Sequence, residues 1–196
     1  MKNPLMEDMH FIRKNDVYLT KEIEEVCRDS FFPKTTLELA LNLSNVTSSF
    51  YGLALKNVIE QYGESAANAI SEKIFYDLGR IKTQQCKSKL QDFPNDTRAF
   101  AYVIVSAIYN SSPEFIFEII QFSSSVTEIK LNGVDRYLRV LSQLEIDQYI
   151  KYPTLNPFMD GIRDELQLDC NIDFQSDMIN KTKNRTSTTY KFSTRR

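Results

Sequence analysis

Apolar positions recur at steps of three and four between Ser48 and about Leu90. Phe50, Leu53, Ala54, Val58 and Tyr62 make one stripe, and Ala67, Ile70, Ile74, Leu78 and Ile81 make the next. That is the helical period, and Asn68, Glu72 and Lys73 fall off the stripe. Gly63 lies between the two runs, so the pattern predicts a helix, a kink at Tyr62-Gly63-Glu64 and a longer helix. Gly79 lies inside the second run, where it costs about 1 kcal/mol relative to Ala; close approach of a neighbouring element or of a ligand would explain it. Before these, Thr20 reads as the cap of a short helix with acids in its first turn. Asp29 to Pro33 breaks that helix, and Thr36 opens another short one through Leu43. Residues 1–18 read as an arm.

Past the loop at Asp92 to Asp96, with Asp96 a candidate cap, Thr97 to Tyr109 is almost wholly apolar. Its length favours a buried helix, and its β-branched content leaves a strand open. After Pro113 the period changes to two. Glu114 to Phe122 and Val126 to Leu131, joined by three serines, predict a hairpin in which Thr127, Ile129 and Leu131 share a face. Asn132-Gly133 ends the second strand or starts a third. A helix follows from Asp135 to Leu144. Asn156 then reads as the cap of a helix with Pro157 at its first position and Phe158, Ile162 and Leu166 on its apolar side. Cys170, Ile172 and Phe174 alternate as a strand, residues 180–187 read as a polar turn, and Thr188, Tyr190 and Phe192 mark a last strand. Helices followed by strands predict an α+β fold, N-terminal helices packed on a small antiparallel sheet. The expected organisation is the arm, 1–18, and a single α+β domain, 19–196.

Composition narrows the function classes. Of 196 residues, 42% are hydrophobic and 26% charged, which is globular, and the net charge of −2 supplies no basic field, so no nucleic-acid partner is expected. No apolar run approaches the ~20 residues of a membrane span. Residues 1–11 carry no apolar signal core. The expectation is a cytoplasmic chain without a transmembrane segment, and its six N-x-[ST] triplets then read as by-products of Asn and Ser content. Three scattered cysteines, Cys27, Cys86 and Cys170, do not suggest a disulfide framework.

Candidate chemistry is sparse. His10 is the single histidine, and its place in the arm argues against imidazole-dependent catalysis. No cofactor or metal is expected. Cys86, with Lys82, Lys87 and Lys89 nearby, is the one cysteine whose surroundings favour a thiolate nucleophile. Asp160 and Asp164 share a helix face, and Arg163 between them suggests a charge-balanced surface. The C-terminal run of Lys181, Lys183, Arg185, Lys191, Arg195 and Arg196 is a local basic patch. Phe75, Tyr76, Phe100, Tyr102, Phe115 and Phe117 are aromatic enough to fill a core or to wall an apolar pocket.

Tyr62-Gly63-Glu64-Ser65-Ala66-Ala67, then Leu78-Gly79-Arg80, resemble the first half of the 4-vinyl reductase type domains. These are similar in fold to the small subunits of TRAPP vesicle-tethering complexes and to haem–nitric oxide binding domains. The helix Pro157-Phe158-Met159-Asp160-Gly161-Ile162 and the closing strand Thr189-Tyr190-Lys191-Phe192 agree with the second half, so the resemblance spans about Phe50 to Phe192. The same order resembles the L-2-amino-thiazoline-4-carboxylic acid hydrolase family. The haem-binding relatives use a mid-chain histidine, and this chain has none after His10. The first resemblance implies a binding or sensing module that takes a small apolar molecule between helices and sheet, with Phe75, Gly79, Phe100, Tyr102, Phe115 and Phe117 at its walls. The second implies hydrolysis of a small heterocyclic carboxylate, with Cys86 as the nucleophile. The likeness to TRAPP subunits implies an interaction scaffold that forms a homodimer through apolar helices. The residues themselves leave open whether the chain is an enzyme.

Overall fold

The computed structural model describes residues 4–195; the arm's first three residues and Arg196 lie outside them. The fold is α+β: six helices and one four-stranded antiparallel sheet. The chain divides into two compact units, Met1–Leu43 and Ser44–Arg196. The first contains α1 (Pro4–Ile12) and α2 (Lys21–Ser30). Thr20 caps α2 as its spacing predicts, its hydroxyl accepting from the Ile23 amide at 3.3 Å. Within this unit His10 stacks on Phe32, ring centres 4.5 Å apart.

Helix α3 (Thr36–Lys89) begins in the first unit and continues through the second, with no break at Leu43; the short helix expected there joins the longer one. The break at Gly63 is real: its φ of 82° and ψ of 172° lie in a region only glycine enters readily. The Tyr51 hydroxyl lies 2.7 Å from the Ser71 hydroxyl, twenty residues on. In a straight helix that separation would be about 30 Å. Gly63 therefore folds α3 back on itself, and the helix has two limbs packed side by side.

Helix α4 (Arg98–Ser111) follows, so the apolar run from Thr97 is helical. Thr97, not Asp96, stands at the cap of α4; the Asp96 carboxylate, one residue earlier, accepts from the Arg98 amide at 3.0 Å. Strands β1 (Phe115–Phe122) and β2 (Val126–Val134) form the hairpin. Strand β2 carries Thr127, Ile129 and Leu131 on its buried side and ends at Val134, one residue past Gly133, so Asn132-Gly133 closes the strand and starts no third one. Then come α5 (Arg136–Gln143), a single 3₁₀ turn (Asp147–Tyr149), α6 (Asn156–Leu166), β3 (Cys170–Asn180) and β4 (Arg185–Thr194). The sheet order is β1-β2-β4-β3, so the two hairpins meet where β2 pairs with β4.

Helices α4 and α6 lie on the sheet. Ile129, Leu131, Tyr190 and Phe192 point from the sheet into the core, where Phe100 stacks on Phe192 at 3.9 Å with rings 9° from parallel. The second limb of α3 crosses α6 unusually closely. A Cβ on Gly79 would stand 2.2 Å from the Phe158 carbonyl oxygen, and one on Gly161 would stand 2.1 Å from that of Tyr76. The two glycines let the backbones touch. This explains Gly79 by helix packing, the first of the two explanations its sequence position offered.

Candidate functional site

The apolar cavity grows from that crossing. Leu78, Lys82 and Phe75 come from the second limb of α3, and Ile104, Ala107, Ile108 and Ser111 from α4. Phe115 and Leu131 form the sheet side; Leu155, Phe158 and Met159 close it from the start of α6, and Thr47, Arg136 and Tyr137 from one end. Its volume is about 270 Å³. Each helix contributes one side of its apolar stripe, because residues three or four apart share a face. Glycine contact between α3 and α6 fixes how far Phe158 stands from Phe75.

Two of the lining rings, Phe75 and Tyr137, cluster with a third, Tyr51. Tyr51, Phe75 and Tyr137 meet edge to face with centroids 4.8–5.4 Å apart, the arrangement ring quadrupoles prefer. Burial pushes the Tyr51 phenol well above its usual range, so it stays protonated and hydrogen-bonded to Ser71.

Beside them lies Arg136, only 4% exposed. Its Nη1 donates to the Ser44 hydroxyl at 3.1 Å, to the Thr47 hydroxyl at 3.2 Å and to the Ser111 carbonyl at the end of α4. Its Nη2 donates to the Tyr137 hydroxyl at 2.6 Å, and its Cζ stands 4.6 Å from that ring's centre. Nε has no partner. The neighbouring carboxylates reach it only indirectly, Glu114 through the Ser44 hydroxyl and Asp135 through electrostatic attraction. Glu114 pairs with Arg139 at 3.3 Å and accepts from Ser44 at 2.8 Å. Asp135 caps α5, accepting from the amides of Tyr137 and Leu138 at 2.9 and 3.1 Å, and burial raises its pKa. Among the described residues no carboxylate forms an ion pair with Arg136, and none lines the cavity.

Of the six residues expected at the walls, Phe75 and Phe115 line the cavity. Gly79 packs on α6. Phe100 is spent in the stack on Phe192. Tyr102 is 43% exposed and leans on Phe93 and Phe122, and Phe117 faces Tyr109. These four stand on the same elements as the lining residues, but their contacts are with other neighbours. Arg136 and Tyr137 were not among the expected residues. One signal was present: a cation at the first position of a helix opposes the helix dipole, and Arg136 directly follows the cap Asp135.

Cys86 is 7% exposed, sits in the core and does not line the cavity. Asp160 and Asp164 are bridged by Arg163 at 3.0 and 3.2 Å, the balanced surface that their spacing suggests. A larger concavity, about 660 Å³, lies between α3 and the segment before α6. It is open and polar, and its lysines are already paired, Lys73 with Asp77 and Lys151 with Glu72. The smaller cavity has the apolar walls and the unpaired charge. Among the described residues no group of three or more His, Cys, Asp or Glu is placed to hold a metal ion, and no helix is long and apolar enough to cross a membrane.

No protein-family model matches the chain, and no curated protein matches it.

Proposed function

We propose that this chain is a small-molecule-binding or sensing module whose ligand occupies the cavity between the α3 and α4 helices, α6 and the sheet. One observation carries the reading: an apolar cavity of about 270 Å³, walled by Phe75, Phe115 and Phe158, in a fold whose core is otherwise filled by stacked aromatics. Close-packed interiors hold few voids larger than a water molecule, and ligand sites are apolar concavities with a few fixed polar groups. Burial of Cys86 in the core, away from the cavity, weighs against a thiol hydrolase.

Native mass measurement of the freshly purified chain, repeated after denaturation, tests this. The expected result is extra mass that is lost on denaturation, and its absence in Ala107→Leu, which fills the cavity from α4 while keeping a good helix former. An adduct that persists unchanged in folded Ala107→Leu refutes the site. A second reading, a scaffold that self-associates, draws on Val46, Phe50 and Leu53, which leave an exposed apolar stripe on the first limb of α3. The same spectrum tests it, since a dimer has twice the chain mass.

A further inference from the structure

The cavity holds a cation with which no carboxylate of the described residues forms an ion pair; Glu114 reaches it only through the Ser44 hydroxyl, and Asp135 attracts it without a direct bond. A buried charge is expensive unless a counter-charge and hydrogen bonds meet it. A guanidinium has five N–H donors. In Arg136, Nη1 is committed to Ser44, Thr47 and Ser111, whereas Nη2 has one acceptor, the Tyr137 hydroxyl, and Nε has none. The unfilled donors are therefore Nε and the second N–H of Nη2, and because Nε is covered by protein atoms, Nη2 is the donor left to a ligand's carboxylate, which it meets with a charge-assisted hydrogen bond. Lys82 stands on the same limb of α3 as Phe75 and adds a second positive charge to a lining without a negative one. The remaining walls are apolar. At about 30 Å³ per water-sized unit, the volume accommodates roughly nine non-hydrogen atoms.

We propose that the ligand is a monocarboxylate of about seven or eight carbons in all, its carboxylate on Arg136 and its body along Phe75, Phe115 and Phe158. This rests on the reading of the cavity as the ligand site.

Titration calorimetry with octanoate and with 1-octanol, which shares the body and lacks the charge, separates the two. In the unsubstituted protein octanoate is expected to bind at least about tenfold more tightly, the least that a charge-assisted hydrogen bond supplies. In Arg136→Met that preference should fall to about one. Arg136 also ties the end of α4 to Ser44 and Thr47, so Arg136→Lys serves as a second variant. It keeps a charge, loses the Nη2 donor, and should lose most of the preference. Equal binding of acid and alcohol by the unsubstituted protein overturns the carboxylate assignment and leaves the apolar site standing. Binding of neither overturns both. A preference for the acid that survives both substitutions at Arg136 places the anion elsewhere and also overturns the assignment.

Discussion

Alanine at Gly79 is expected to destabilise the protein, against the usual sign for that change in a helix. In an open helix Gly→Ala gains about 1 kcal/mol. Here the new Cβ would stand 2.2 Å from the Phe158 carbonyl oxygen and 3.2 Å from the Ile162 amide nitrogen, with ordinary contact beginning at 3.4 Å. Both atoms are backbone, so no rotamer change relieves the clash, and α6 must retreat by about 1.2 Å. A retreat of that size opens gaps around Phe158, Met159 and Ile162, all buried, and a radial gap of 0.5–1 Å forfeits roughly a quarter to a half of the dispersion energy of the atoms it separates. Overpacking typically costs about 1–3 kcal/mol. With the clash on backbone the upper end applies, and the net loss is about 2 kcal/mol. Urea denaturation followed by circular dichroism measures it as a lower midpoint at unchanged slope. Gly161→Ala meets the Tyr76 carbonyl at the same crossing. Once one substitution has pushed α6 away, the second finds the space already open, so the double variant should lose less than the sum. An unchanged or raised midpoint for either single variant, or strict additivity in the pair, refutes the shared crossing. Because Phe158 and Met159 line the cavity, the same variants should also bind the cavity's ligand more weakly while still folded.

Two further outcomes are expected. Burial raises the Asp135 pKa, so the native state holds that proton more tightly than the unfolded chain does. Its contribution favours the native state fully below the ordinary carboxylate range and is lost as the pH rises through the raised value. Asp135→Asn, which keeps an oxygen for the Tyr137 and Leu138 amides, should remove that pH dependence and hold stability at neutral pH, whereas Asp135→Ala should lose about 1 kcal/mol with the cap. Denaturation midpoints from pH 4 to 8 check this, and an Asn variant as weak as the Ala variant would show that the charge itself is needed. In the native protein, brief iodoacetamide treatment followed by peptide mass mapping should label Cys27, which is partly exposed, and spare Cys86 and Cys170, which are buried. Burial also pushes the Cys170 thiol up, away from the reactive thiolate. Fast labelling at Cys86 would restore it as a candidate nucleophile.

The elements of this fold were legible because their causes are local. The three-and-four spacing around Val58 and Ile74, the glycine between those runs, the alternation from Thr127 to Leu131 and the oxygen of Thr20 act within a turn or a strand pair. A helix or hairpin forms from such signals wherever the chain goes next. The extent of α3 before Ser48 was less legible, because the helix carries on without a break where the apolar pattern pauses. The cavity was legible only in its composition. Phe100 and Phe115 are both aromatic residues on apolar elements, yet the first is consumed by Phe192 and the second faces the void. Arg136 reads as an ordinary surface charge until α5 turns it against Ser44, Thr47 and the end of α4, residues 25 to 92 positions away along the chain. The sequence by itself determined most of the helices, the strands, the Thr20 cap and a break at Gly63, since each depends on neighbours within a few residues; α1 formed where an arm was expected, and Leu155 rather than Asn156 stands at the cap of α6. The tertiary structure alone decided which rings became core and which became wall, that Gly79 serves a helix crossing, and that a buried arginine at the cavity has no carboxylate in direct ion pair among the described residues. These follow from the close packing of distant segments, and packing density leaves little freedom once the backbones meet.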